Sequence, residues 1–346
     1  MRALHAILIA ALSAVTLGWG HASAGQPSLH RQARRLMGTL CEVQVYHTDA
    51  ALADRAIAAA LDEMARVDRL LSNYDPDSEL SVMNRTAAAT APAVVSAELF
   101  GFVKECGAYV ERTRGAFDPT VGPLVRAWGF TTPEPARPSD EAIAAAKAQS
   151  GFDKVRLGAS ARTVSYAVPG MEIDPGGIGK GYAVDRAVSV LVRAGIGSAL
   201  VSAGGSTLYA IGHPPERDGW RVAVSDPTNV ETPAAIVALR DTSISTSGAS
   251  YRSVRAGGRR FSHVFDPRSG EPVEHMCQAS VVAPTATASD ALSKAAFILS
   301  RADLEDVLAD APGSHALRLE GPCGTGATPW VTPWSAEVFE GRTTAR

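Results

Sequence analysis

Apolar Cys41, Val43 and Val45 alternate with polar neighbours over residues 39–47, the period of a strand with one buried face. An alanine-rich stretch over 51–71 reads as a long helix and leads into a turn-rich loop at 72–84. The spacing predicts a second helix over 97–112 that stops at Gly115, the residue type that most readily closes a helix. Proline-rich residues 131–138 mark a surface connection, and a short helix is expected over 140–148. Strand candidates at 154–157 and 163–167 lead into a glycine-rich run and a helix reaching about Ala194. From 198 to 282 strand signals dominate, broken by Gly204-Gly205, Asp226-Pro227, Gly257-Gly258 and Asp266-Pro267, pairs that punctuate strands. A strand over 279–283 precedes one more helix over 289–299.

Helices and strands therefore mix without regular βαβ alternation, and no long internal period repeats. This favours an α+β fold, a single elaborated mixed α/β domain, over a doubly wound sheet or a solenoid. Composition never shifts enough to cut the body, 25–320, in two. The tail, 321–346, carries Pro322, Pro329 and Pro333 and reads as an irregular extension packed on that body.

Residues 1–24 differ from the rest. Arg2 and His5 precede an apolar run from Ala6 to about Gly20 that ends in Ala22-Ser23-Ala24, the pattern of a cleaved secretory signal. The run is about 15 residues long, short of the roughly 20 a helix needs to span a bilayer. No twin arginine precedes it and no cysteine stands at the processing site. A periplasmic protein, exported unfolded and without a lipid anchor, is expected.

A chain of 346 residues that is 46% hydrophobic and 20% charged has the composition of a packed globular protein, which excludes disorder as its main state. Its net charge is −3 and it has no basic stripe with interleaved aromatics, so the electrostatic footprint of nucleic-acid binding is missing. Cys41, Cys106, Cys277 and Cys323 show no CxxC spacing, and neither a zinc site nor a thioredoxin-like site is suggested. An oxidising compartment would permit a Cys277–Cys323 bridge, which sequence alone does not establish.

Three segments carry candidate chemistry. Asp174 to Gly181 holds four glycines in eight residues, with Asp174 and Lys180 among them. Glycine lets backbone approach closely, and the amides of the following helix N-terminus favour a phosphate. The run is neither a P-loop nor a dinucleotide fingerprint, and a tight strand-to-helix turn with surface charges explains it as well when it stands alone. Ser262 to Gly270 reads as a strand ending in an Asp-Pro turn. Its His263 is either a buried structural residue or a proton acceptor near neutral pH. In the third segment Asp290 and Lys294 stand four apart on one helix face. They form either an exposed ion pair worth a few tenths of a kcal/mol or a site in which Asp290 is a hard oxygen ligand for magnesium.

Together the segments resemble the ApbE flavin transferases, which are FAD:protein FMN transferases. The matching pieces are Met37-Gly38-Thr39, Ser72-Asn73-Tyr74 with Asp77 to Leu80, Gly115 to Leu124 with Trp128-Gly129-Phe130, Asp174 to Asp185, Ala203-Gly204-Gly205, Thr246-Ser247-Gly248, Ser262 to Gly270, and Ala283 to Leu292. They run in family order over nearly the whole mature chain. The resemblance implies a magnesium-assisted enzyme that splits FAD and attaches the FMN half to a threonine of an acceptor redox protein, expected to be membrane-linked, releasing AMP.

The resemblance also assigns roles. Met37, Tyr74, Ala116, Phe117, Asp118, Asp174, Lys180 and Val264 fall where the family contacts FAD. The carbonyl of Gly177 and the side chain of Asp290 fall at magnesium positions, Lys180 is expected to stabilise charge on the reacting phosphate, and His263 matches a histidine suited to take the acceptor proton. Lys294 is a departure, because the family usually has threonine at this metal-ligand position. A protonated lysine cannot ligate magnesium. Three arrangements are open: a metal site completed by water or by Ser293 or Thr287, a site where Lys294 replaces the cation, or a flavin binder without turnover. Two alternatives stand beside the transferase: a periplasmic FAD-binding protein without transfer activity, and a metal-dependent FAD pyrophosphatase.

Overall fold

The computed structural model describes residues 25–89, 91–130, 136–229, 231–249, 253–256, 259–262, 264–323 and 326–341. The expected leader, 1–24, and His263 lie outside the described residues, as does most of the proline-rich connection. The first half of the chain runs through β1 (Ser28–Leu36), β2 (Thr39–His47), α1 (Ala50–Leu71), α2 (Glu79–Ala89), β3 (Ala93–Val94), α3 (Ala97–Arg112), α4 (Gly122–Ala127), α5 (Asp140–Ala148), β4 (Val155–Gly158), β5 (Thr163–Tyr166) and α6 (Gly179–Arg193). There follow β6 (Ala199–Ala203), β7 (Thr207–Ile211), β8 (Trp220–Val224), β9 (Ala235–Leu239), β10 (Thr242–Gly248), β11 (Ser253–Ala256), β12 (Arg259–Ser262), β13 (Met276–Ala283), α7 (Ala286–Ile298), α8 (Arg301–Ala309), β14 (His315–Glu320), β15 (Thr328–Val331) and β16 (Glu340–Gly341).

An eight-stranded antiparallel sheet, ordered β1-β2-β6-β7-β10-β13-β14-β15, is the frame. Helices α1, α6 and α7 pack on one of its faces. The other face is covered by the small sheet β16-β9-β8, whose Trp220, Val222, Val237 and Leu239 share a core with Leu208, Ile244, Leu317 and Leu319 of the main sheet. The alternation of β6 shows how strands serve both layers: Ala199, Val201 and Ala203 face the helices while Leu200 faces the small sheet. The fold is α+β, as the mixed pattern predicted.

Local signals explain most boundaries. Helix α1 carries Ala53, Ile57, Ala60, Leu61, Met64, Val67 and Leu71 as one buried stripe, the helical period of an apolar face. Ser96 and Ser139 cap α3 and α5 by accepting the amides of Leu99 and Ala142, the usual service of an N-cap serine. Helix α7 differs, since all of its residues except Lys294 are buried. A helix buried all round must find internal partners for its polar side chains. Ser289 Oγ accordingly lies 2.5 Å from Ser243 Oγ and 2.7 Å from Ser245 Oγ, and Ser293 Oγ lies 2.8 Å from Ser247 Oγ.

Several expectations need correction. The loop at 72–84 is interrupted by α2, because Ser78 Oγ accepts the Ser81 amide at 3.0 Å and starts a helix there. Helix α7 begins at Ala286 rather than Ser289, with Thr285 as its cap. The 262–270 segment is not a strand throughout: β12 ends at Ser262, and 264–270 lie outside the named strands. The tail is not wholly irregular either. Residues 328–331 form β15, which pairs with β14 at the sheet edge, where Pro329 is tolerated because an edge strand can leave one side unpaired. A Cys277–Cys323 disulfide ties this tail to β13.

Candidate functional site

The β1–β2 hairpin turns on Met37 and Gly38 alone, with φ of 53° and 70°. A two-residue turn of this hand needs positive φ at both positions, a conformation that is strained for methionine. The strained residue is held by its amide, which donates to Asp68 Oδ2 on α1 at 2.7 Å. Its side chain then lies over the glycine-rich turn, where a Cβ on Gly179 would come within 3.8 Å of Met37 Cε.

That turn is a short 3₁₀ segment, Pro175–Gly177, leading into α6. Asp174 caps it by accepting the Gly176 amide at 2.7 Å, and its own amide donates to Pro119 O at 2.6 Å. The second bond ties the turn to the 115–124 motif. Burial holds the Asp174 carboxyl above its ordinary value, against the opposing Gly176 amide and Arg126 charge. Phe117 is buried beside Gly177, where an added Cβ would meet its ring at 3.1 Å and Lys294 Cε at 3.7 Å.

Helices α6 and α7 meet at a crossing that only glycine allows. A Cβ on Gly181 would lie 2.2 Å from Ala286 O. Two carboxylates bind across this crossing in opposite senses. Asp185 of α6 accepts from Ala286 N at 2.7 Å, Thr287 N at 2.8 Å and Thr287 Oγ1 at 2.6 Å, all at the start of α7. Asp290 of α7, only 2% exposed, accepts the Gly181 amide at 3.0 Å through Oδ2, at the start of α6. Ile178, the N-cap of α6, makes no side-chain cap bond of its own.

The second oxygen of Asp290 is paired with Lys294. Its Nζ lies 2.8 Å from Asp290 Oδ1 and 3.2 Å from both Asp290 O and Ser293 Oγ. The exposed version of this ion pair is thereby ruled out, because the Lys294 side chain is only 19% exposed and Asp290 is buried. Lys180 lies on the first turn of α6 and hydrogen-bonds Ser206 Oγ, just past the Gly204-Gly205 turn.

The contacts thus join Met37, Phe117, Asp174, Gly177, Asp290 and Lys294 around one turn. The other positions sit differently. Ala116 is fully buried. Asp118 is engaged structurally, accepting from Thr120 N at 2.8 Å, Thr120 Oγ1 at 2.6 Å and Phe152 N at 3.0 Å, while burial raises its carboxyl above the ordinary value despite those donors. Val264 is buried; its amide donates to Ser262 Oγ at 3.0 Å and its carbonyl accepts from the Val273 amide at 2.9 Å. Tyr74 is 78% exposed on the loop before α2, held where Ser72 Oγ accepts the amides of Tyr74 and Asp75. Asp185 and Gly181 lie within the Asp174–Asp185 motif, but nothing in the sequence marks Asp185 as the cap of α7 or Gly181 as the point where the two helices cross. Ser206 carried no local signal.

The chain belongs to the ApbE family, whose model matches residues 37–317. It is 33% identical over 307 residues to a protein of Treponema pallidum (strain Nichols) named FAD:protein FMN transferase, with 83% of each chain covered. A protein of the same name from Klebsiella pneumoniae (strain 342) is 34% identical over 305 residues, covering 86% of each. Among solved structures, the ApbE protein of Thermotoga maritima superposes with a TM-score of 0.79 at 29% identity, over 87% of this chain and 96% of that one.

Proposed function

We propose that this chain is an FAD:protein FMN transferase. The observation that carries the reading is the glycine-rich turn at the start of α6, flanked by Lys180 and Lys294, in a chain similar to relatives of that name and in a fold shared with the ApbE protein of Thermotoga maritima. A turn that admits close backbone approach, opens a helix and carries two ammonium groups suits a diphosphate.

The reaction asks little covalent work of the protein. The acceptor threonine oxygen forms a bond to the phosphorus on the riboflavin side, the bond from that phosphorus to the bridging oxygen breaks, and AMP leaves with the electron pair. Charge gathers on the phosphate oxygens, and Lys180 would stabilise it. The hydroxyl proton passes to a base, the role the resemblance gives to His263. Met37, Phe117 and Tyr74 supply apolar surface for the ring systems of FAD.

The magnesium implied by the resemblance does not fit these residues as they stand. That ion takes oxygen ligands in a strict octahedron. Both Asp290 oxygens already accept from the protein, one from the Gly181 amide and one from the Lys294 ammonium. The nearby Asp185 is committed to the start of α7, so no step is routed through a metal. A periplasmic setting is proposed as well. It is supported by the leader pattern of 1–24 and by the Cys277–Cys323 disulfide, a bond that persists in oxidising compartments. No helix among the described residues is long and apolar enough to cross a membrane. An acceptor associated with the membrane would meet the enzyme there.

The test is incubation with FAD, Mg²⁺ and an acceptor fragment bearing a flavinylation threonine, followed by mass measurement of the fragment. An FMN adduct with matching AMP release is expected. Tight FAD binding with no adduct would make the chain a flavin carrier, and FMN and AMP without an adduct would make it a pyrophosphatase.

A further inference from the structure

We infer that the Lys294 ammonium takes the place of a divalent cation beside the FAD diphosphate, so that this protein binds FAD and transfers FMN without added metal. The inference rests on the transferase reading for its second half only. Its basis is the set of atoms around Nζ. Asp290 Oδ1, Asp290 O and Ser293 Oγ surround it at 2.8, 3.2 and 3.2 Å, an oxygen cage of the kind a cation occupies, filled here by a covalently attached one. An ammonium has three N–H donors, and these three oxygens match them.

The electrostatic need is plain. Asp290 is buried on α7 and its Oδ2 is fixed on the first turn of α6, the end where a phosphate would dock. A bare carboxylate there would repel the diphosphate, since like charges a few Å apart in a partly buried site are weakly screened. Some cation must sit on Oδ1 for the anion to enter. Lys294 does so, and its stem passes beside Gly177, with Cε 3.7 Å from the point where a Cβ on that glycine would lie. The stem thus lies beside Gly177 while its head rests on Asp290, the two positions that the resemblance gives to magnesium. Lys294 is also the one residue of α7 not buried, so its charge faces the turn while the rest of the helix is sealed in the core.

The arrangement predicts a definite response to substitution. Lys294→Thr removes the ammonium and frees Asp290 Oδ1, so FAD affinity in chelator should fall on the order of tenfold or more and return on adding Mg²⁺. Lys294→Gln keeps the stem, drops the charge and should show the same loss in chelator. It serves as the second variant if the threonine form proves unstable in a thermal melt.

The experiment is FAD titration by flavin fluorescence on the full chain, dialysed against EDTA, with and without Mg²⁺, and the acceptor assay is run on the same samples. Wild-type affinity that changes little on adding Mg²⁺, together with a Mg²⁺-dependent Lys294→Thr variant, is the expected result. Wild-type binding that collapses in EDTA would overturn the inference, and so would variants that bind unchanged in EDTA. An acceptor adduct formed only with Mg²⁺ would also overturn it while leaving the transferase reading intact. Metal-independent FAD binding with no adduct under either condition would do the reverse, sinking the transferase reading and sparing the role of Lys294 in binding.

Discussion

Two acids face each other across one helix crossing and do opposite jobs. Asp185, on α6, gives its side chain wholly to the protein, accepting two amides and a hydroxyl from the first turn of α7. Asp290, on α7, gives one oxygen to the first turn of α6 and the other to an ammonium that borders the glycine-rich turn. The first is a structural cap and the second is half cap, half site. Each carboxylate also sits at the positive end of the other's helix, where a negative charge is favoured. Binding and folding are therefore coupled here, because the crossing that fixes the helices also aims Asp290.

The change that should break both acids at once is Gly181→Ala. The new methyl would meet Ala286 O at 2.2 Å, Ala286 C at 2.6 Å and Thr287 Cα at 2.8 Å, and these are backbone atoms that cannot swing away. Overpacking of this kind costs about 3 kcal/mol. We expect a large drop in the melting temperature and weak FAD binding, since α7 must move off α6 and carry Asp290 with it. A variant that melts like the wild type would show that the crossing is not as tight as described.

The next largest effect separates the two acids. Asp185→Ala leaves two amides and a hydroxyl at the start of α7 without their acceptor, and losing a charged acceptor costs about 2 kcal/mol. Denaturant unfolding should report that loss. FAD affinity at temperatures where the variant is folded should change far less than it does in the Lys294 variants. An Asp185→Ala protein of unchanged stability but poor FAD binding would reverse the assignment of cap and site.

The sequence revealed these regions unequally. Strand β2 was readable from its alternation, helix α3 from its spacing and the stop at Gly115, and helix α5 as a short run after the proline-rich connection, where Ser96 and Ser139 cap the two helices. Strand β1 was missed: none of its residues is buried, so it has no apolar face to read, and it exists through its pairing with β2. Strand β15 was hidden by Pro329 within it and by Pro322 and Pro333 around it. At the site, Lys294 was visible as a departure from the family pattern, whereas the outcome of that departure depended on where Asp290 Oδ1 points. Asp185 could not have been found by spacing, because its partners lie about a hundred residues away and only the packing of α6 on α7 brings them together.

The smallest predicted effect is a pH dependence that tests how buried the cap is. Burial holds the Asp185 carboxyl above its ordinary 3.8, outweighing the three donors that oppose it, and the nearby charge of Asp290 pushes the same way. In the window between 3.8 and the raised value the folded chain holds a proton that the unfolded chain has released. Stability from this group is therefore complete below 3.8 and is lost as pH rises through the raised value. Asp185→Asn removes the titration, so the wild type's advantage over that variant should grow as pH falls through the window. Taking the difference between the two proteins matters, because Glu63 and Glu98 are held below their ordinary values, chiefly by hydrogen bonds from Arg66, and destabilise both proteins alike as pH falls. Urea midpoints of the two proteins at neutral pH and just above 3.8 supply the measurement. An advantage that shrinks in acid would mean that the α7 donors, and not burial, govern Asp185, making it a lowered carboxylate and a stronger cap than the one described.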